Sequence, residues 1–194
     1  SNYTLLGETL DDAVGEAFDK VAKLLNLSYP GGPEIEKKAT YGDVNAYNLP
    51  HPLENNKDLN FSFSGIKTAI NLIVKKEEKI NEQFIQNMSA SFQNKVADIF
   101  DKKLHLSMEY LKKLDIKISQ LSLVGGVASN NFIYKKLKNT ASNYDCAVNM
   151  PLNYMLSDNA AMIGWAFIKK YKNGFESDLL FKPNPRLSIN INQL

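Results

Sequence analysis

Cysteine occurs once in these 194 residues, at Cys146, so no disulfide can form within the chain and a reducing compartment is the simpler reading. Histidine occurs only at His51 and His105, which do not form a metal pair. Net charge is nearly absent. Against 23 basic residues stand 21 acidic ones, leaving a formal +2, so no global field draws the chain to nucleic acid and any RNA contact must be local. No apolar run approaches the roughly 18 to 20 residues that span a bilayer, and the opening SNYTLLGETLDD lacks the basic-then-apolar layout of a signal peptide. A soluble, cytoplasmic protein is expected. G-x-S-x-G, a Cys-His dyad, the Walker glycine spacing and G-x-G-x-x-G are all missing, which removes the motif-based case for a hydrolase, a P-loop enzyme or a Rossmann fold. There is no internal repeat, low-complexity tract or long linker.

What is present reads as alternating helices and short strands. Thr9 and Asp12 have the spacing of a capping box, and the apolar residues Leu10, Val14, Ala17, Phe18, Val21, Leu24 and Leu25 share one side of a helix over about 9–25. Asp12, Glu16 and Asp19 form an acidic ridge opposite, which is either a solvated face or part of a site. Gly15, close to that ridge, costs a helix interior roughly 1 kcal/mol relative to alanine, so either helix packing or a ligand approaches there. The turn YPGGP then places Pro33 at the start of a short helix to about Ala39 and offers free backbone N–H groups to oxygen atoms. Residues 40–60 read as loop, with His51 between two prolines. FSFSG (61–65) alternates as a strand and hands over to a helix; its serines, Lys67 and Thr68 superficially resemble phosphate-binding chemistry.

The periodicity from Ile80 to about Leu114, free of proline and glycine, predicts one long amphipathic helix or two. SQLSLVGGVASNN predicts a strand over 120–124, a Gly125-Gly126 turn on which a nucleotide can lie against bare backbone with Asn130 beside it, and a helix from about Asn131. DCAVNMP supplies another strand, with Cys146 in the core, and Ser157 or Asp158 caps a last helix to about Lys172 whose Met162, Ile163, Ala166 and Phe167 share a face. The tail FKPNPRLSINI reads as irregular. Together these elements predict one α/β domain, a mixed sheet flanked by helices, with a helical insertion at about 66–114.

In order and spacing, GETLDDAVGEAFDKVAKLLNLSYPGGP, FSFSGIKTA, VGGVASN and SDNAAMI resemble the TsaD/Gcp/YgjD family of tRNA adenosine threonylcarbamoyltransferases, known in older descriptions as glycoproteases. The resemblance implies the two-lobed fold of actin, Hsp70 and sugar kinases (ASKHA), with residues 1–194 as the C-terminal lobe. It implies transfer of a threonylcarbamoyl group from threonylcarbamoyl-AMP to N6 of adenosine 37 of tRNA. By motif match, Asp19, Gly32 and Asn130 hold the adenylate or ATP/AMP, and Asp158 ligates an iron or zinc ion. TsaB-like and TsaE-like subunits are the implied protein partners, and no membrane is involved. Two departures stand out. Leu156 and Ser157 replace the family's usual Cys-Thr, and Asn131 and Tyr134 replace basic residues after the GGV motif. The family's His-x-x-x-His and Ser-Gly-Gly-His-Thr segments belong ahead of GETLDD, so the N-terminal lobe is expected to be absent here and the isolated lobe inactive. The alternative is a non-catalytic nucleotide-binding or partner-docking fragment, with glycoprotease activity a distant third.

Overall fold

A computed structural model describes residues 4–175 and Lys182, and the statements below concern those residues. The first helix, α1 (Val14–Leu24), starts five residues later than the capping box predicts. Segment 8–10 is drawn instead into extended pairing with Phe61: Leu10 N donates to Phe61 O at 2.9 Å and Phe61 N to Glu8 O at 2.8 Å. Thr9 Oγ1 donates to the Asp12 carbonyl, so the box does not close. The same pairing is all the strand character that FSFSG acquires, because α3 (Ser64–Lys76) begins within it.

Between them, α2 (Gly31–Ala39) crosses α1 at very short range, starting two residues ahead of the expected Pro33. A Cβ on Gly31 would lie 2.6 Å from the Ala22 Cβ and 2.9 Å from the Phe18 carbonyl oxygen, so only a bare glycine lets these helices meet. The spine of the molecule is α4 (Glu82–Lys113), a single 32-residue helix capped by Asn81, whose side chain accepts from Phe84 N. Its three- and four-residue periodicity buries Phe84, Met88, Phe92, Val96 and Ile99 against Phe18 and Val21 of α1, Ile35 of α2 and Ile66 and Ile70 of α3. Each such side chain contributes roughly 1.5 to 3 kcal/mol by leaving water.

The second half is a βαβ unit. Strand β1 (Gln120–Ser122) leads through a 3-10 turn at Gly126–Ser129 into α5 (Asn131–Ser142) and then β2 (Ala147–Asn149), which pairs parallel with β1 in the register Leu121 opposite Val148. The expected mixed sheet is therefore, among the described residues, two parallel strands in an α-rich molecule. Ile133 and Leu137 of α5 join the α4 core. A polar seam runs alongside them, Asn130 with Gln93, Lys136 with Asp98 and Thr140 with Asp101. Cys146, one residue ahead of β2, is buried as expected, and burial pushes its thiol pKa up.

The last helix, α6 (Ala160–Lys172), is capped by Asn159, which accepts from Met162 N at 3.0 Å, and not by Ser157 or Asp158. The face shared by Met162, Ile163, Ala166 and Phe167 is exposed, as is Trp165 at 61%. Of the tail FKPNPRLSINI, all but Lys182 lies outside the described residues.

Helices α4 and α5 end in the left-handed conformation at Asp115 (φ 58°) and Asp145 (φ 53°), each closed by a reversed bond, Ile116 N to Leu111 O and Cys146 N to Ala141 O. A Cβ is strained there, and a carboxylate opposes the negative end of the helix dipole. Asp115→Gly and Asp145→Gly are each expected to stabilise by about 0.5 kcal/mol, read as a rise of about 1 to 2 °C in the unfolding midpoint.

Candidate functional site

The acidic ridge resolves into two parts. Lys20 Nζ lies 2.6 Å from Asp12 and 2.7 Å from Glu16, which removes the repulsion between them, and its own pKa rises with those hydrogen bonds. Asp19 stands apart: its Oδ1 accepts from Gly31 N at 2.8 Å, joining α1 to the start of α2, while Oδ2 has no hydrogen bond among the described residues. This leaves a carboxylate oxygen beside a helix N-terminus whose next N–H belongs to Gly32.

Asp19 and Gly32 lie on the wall of a cleft of about 410 Å³, together with Gly15 and the turn Gly125-Gly126. That volume suits a small-molecule ligand. Gly125 has φ 89°, which reserves it for glycine, and Gly125 N donates to Leu156 O at 3.0 Å. The other glycines of the cleft lack that reason. A Cβ at Gly32 or Gly126 would meet nothing within 4 Å, and one at Gly15 would meet only Val127 at 3.8 Å. Packing thus accounts for Gly31, while Gly32 and Gly126 present bare backbone to open space and Gly15 has room for an ordinary contact with Val127.

Asn130 sits behind this wall. It is 5% exposed; its Oδ1 accepts from Ile133 N, capping α5, and its Nδ2 donates to Gln93 Oε1 at 2.7 Å. Its neighbour Ser129 lines the cleft in its place. Asp158 is exposed, two residues beyond the Leu156 carbonyl that holds Gly125. The structure therefore brings Asp19 and Gly32 together with the glycine turn, sets Asn130 one layer back, and leaves Asp158 outside the residues that line the cleft. Among the described residues no three His, Cys, Asp or Glu side chains gather closely enough to hold a metal ion. Asp158 alone does not fit a catalytic metal, which takes about three protein ligands. Neither histidine lines the cleft: His105 Nδ1 is 2.8 Å from Tyr144 Oη, and burial lowers the pKa of His51.

The phosphate-like FSFSG turn is already filled from within. Asp11 accepts from Phe63 N (2.8 Å), Ser64 N (3.3 Å), Ser62 Oγ (2.5 Å) and Ser64 Oγ (2.8 Å), supplying the cap that α3 otherwise lacks. Partial burial pushes its pKa up, but these hydrogen bonds outweigh it and hold the carboxyl at about 2, below its ordinary 3.8. The stabilisation is complete above pH 4 and is lost as pH falls toward 2; for so exposed a group it is worth about 1 kcal/mol. Asp11→Asn is expected to lose that amount at pH 7 and to flatten the acid limb between pH 4 and 2, measured by urea unfolding at each pH.

Sequence reasoning did not single out Gln93 or Glu36, and it reads Asp11 only as a favourable charge in the first turn of the opening helix, whereas Asp11 precedes α1 and caps α3. Of the first two, only Glu36 carried a signal, since it falls one helical turn after Gly32.

Comparison with known proteins gives a consistent result. A family model described as TsaD, tRNA N6-adenosine threonylcarbamoyltransferase, matches residues 1–165. Curated relatives of that name include one from Wolbachia pipientis wMel, 44% identical over 187 residues, and one from Rickettsia massiliae (strain Mtu5), 41% identical over 189 residues. Each alignment covers 96% of this chain and 55% of the relative. Another, from Ehrlichia chaffeensis, is 41% identical over 184 residues, with 95% and 53% covered. The chain spans about half the length of the curated relatives it matches. No described helix is long and apolar enough to cross a membrane.

Proposed function

The chain belongs to the TsaD family of tRNA N6-adenosine threonylcarbamoyltransferases, and from that premise we propose that its glycine-walled cleft holds the adenylate of threonylcarbamoyl-AMP. The observation that carries the reading is the convergence of Asp19, Gly32 and Gly125-Gly126, three separated segments, on one cleft. The N–H of Gly32, in the first turn of α2, is one of the donors a helix leaves unsatisfied, and the dipole there favours an anion such as the adenylate phosphate. The free oxygen of Asp19 suits a ribose hydroxyl, and bare backbone at Gly15 and Gly126 lets the nucleotide lie in van der Waals contact with the wall.

In the proposed reaction, N6 of tRNA adenosine 37 attacks the carbamoyl carbon and AMP leaves as the carbon–oxygen bond to phosphate breaks. Residues of this chain bind and orient the leaving adenylate. Asn130 acts in this scheme by fixing the start of α5, while Asp158 would supply one of the roughly three protein ligands that an iron or zinc ion needs. Bound there, such a metal would polarise the transferring group. The protein is proposed to work in the cytoplasm as the C-terminal lobe of an ASKHA-type enzyme, with TsaB-like and TsaE-like subunits and tRNA as partners. The exposed apolar face of α6, with Trp165 and Phe167, favours a second reading in which these residues form a docking fragment.

Calorimetric titration with AMP tests the first reading. A single site is expected, and Gly32→Leu, which projects a side chain into open space, abolishes it without lowering the unfolding midpoint. AMP binding unchanged in Gly32→Leu would contradict the assignment.

A further inference from the structure

We infer that Glu36 is a positioning residue that sets the separation of the two glycine-bearing walls of the cleft, an inference that rests on the cleft being the adenylate site. The walls come from distant parts of the chain. Gly32 opens α2, whereas Gly125 and Gly126 lead into α5, and both helices pack chiefly on α4. Helix α1 supports both walls as well, meeting the start of α2 at Gly31 and touching the Gly126–Ser129 turn, but no hydrogen bond runs from α1 to that turn among the described residues.

One hydrogen bond links the two walls directly. Glu36 Oε1 accepts from Asn131 N at 2.8 Å, the single hydrogen bond that joins α2 to residues 124–142 among the described residues. Glu36 lies four residues after Gly32, one turn along α2 on the same face, so whatever holds Glu36 against the start of α5 also holds Gly32 opposite the Gly125-Gly126 turn. The contact is charge-assisted, because Asn131 N is one of the unsatisfied donors at the positive end of α5. From the other side Gln93 of α4 grips Asn130, and Asn130 caps Ile133 N. The first turn of α5 is thus clamped from both neighbours, by α4 through a buried amide and by α2 through a half-buried carboxylate.

A consequence for ligand placement follows. With Glu36 seated on Asn131 N and the Asn130 amide on Ile133 N, the N-terminus of α5 has its anion site taken by the protein, and a phosphate is directed to Gly32 and the glycine turn. Glu36 itself does not line the cleft, so it acts through the spacing of the walls and not by touching the ligand.

The test compares wild type, Glu36→Gln and Glu36→Ala by AMP calorimetry, thermal unfolding and amide hydrogen exchange over residues 124–131. Glu36→Gln retains an acceptor for Asn131 N and is expected to bind AMP within about threefold of wild type. Glu36→Ala should weaken binding about tenfold, the order of one charge-assisted hydrogen bond, with the unfolding midpoint lowered by about 3 to 6 °C and faster exchange at Asn131 and through the glycine turn. Wild-type affinity in Glu36→Ala, or equal impairment in the Gln and Ala variants, overturns the inference. If wild type itself does not bind AMP, the adenylate reading fails, and the exchange measurement still decides on its own: unchanged protection at Asn131 and the glycine turn in Glu36→Ala refutes the positioning role.

Discussion

Gly31→Ala is expected to destabilise the protein by about 3 kcal/mol or more, while Gly32→Ala, one residue away in the same PGGP turn, leaves stability unchanged or slightly raised. The difference is steric. A methyl group at position 31 would stand 2.6 Å from the Ala22 Cβ, 2.8 Å from the Asp19 Cα and 2.9 Å from the Phe18 carbonyl oxygen. Two of those atoms are backbone, and none is the end of a flexible side chain, so relief requires α1 and α2 to move apart. That movement stretches the Asp19–Gly31 hydrogen bond and opens the core around Phe18 and Ile35. At position 32 the same methyl meets nothing within 4 Å, and alanine removes conformational freedom from the unfolded chain. For a chain of this size the first change corresponds to a fall of roughly 6 to 12 °C in the unfolding midpoint. Equal effects of the two substitutions would mean that α1 and α2 do not cross as closely as the structure shows.

Asn130→Ala is expected to cost about 2 to 4 kcal/mol, the second large effect. The substitution strips the cap from α5, worth about 1 kcal/mol, and strands the Gln93 side chain, which is 5% exposed, without its partner in the interior. Asn130→Asp retains the acceptor for Ile133 N and, with the Gln93 amide turned so that its Nε2 donates, keeps the buried contact as well; a cost of about 1 kcal/mol or less is expected. Chemical denaturation of the pair separates the two cases. The comparison also governs how ligand data are read, because loss of AMP binding in Asn130→Ala reports disruption of the α5 start as readily as loss of a ligand contact. Asn130→Asp, with the fold intact, is the informative variant.

The elements whose signal is local were legible in the sequence. The periodicity of α4, the start of α5 at Asn131 and the Gly-Gly turn after β1 all appear near their expected positions. Where a long-range contact competes with a local one, the expectation fails. Thr9 and Asp12 satisfy the capping-box pattern, yet pairing of residues 8–10 with Phe61 holds them extended, and the helix waits until Val14. FSFSG alternates like a strand, yet Asp11 reaches across from about fifty residues earlier and turns its second half into the first turn of α3. Capping of α6 by Asn159 in place of Ser157 or Asp158 is a choice among adjacent residues that sequence pattern does not resolve.

The site divides along the same line. Asp19 and Gly32 were legible as motif positions and do share a cleft. The sequence shows a glycine pair in PGGP but not that Gly31 answers to packing and Gly32 to open space, since that depends on how α1 crosses α2. It shows Asn130 beside the glycine turn but not that both ends of its amide face inward, which depends on Gln93 lying on a helix almost forty residues earlier.

Backbone amide shifts recorded during titration with AMP give the most direct examination of the adenylate cleft. Saturable shifts confined to Gly15, Asp19, Gly32 and residues 124–129 are predicted, with the amides of Asp11 and FSFSG unmoved because that turn is internally satisfied. Shifts centred on the FSFSG turn, or none at all at millimolar AMP, would contradict the assignment.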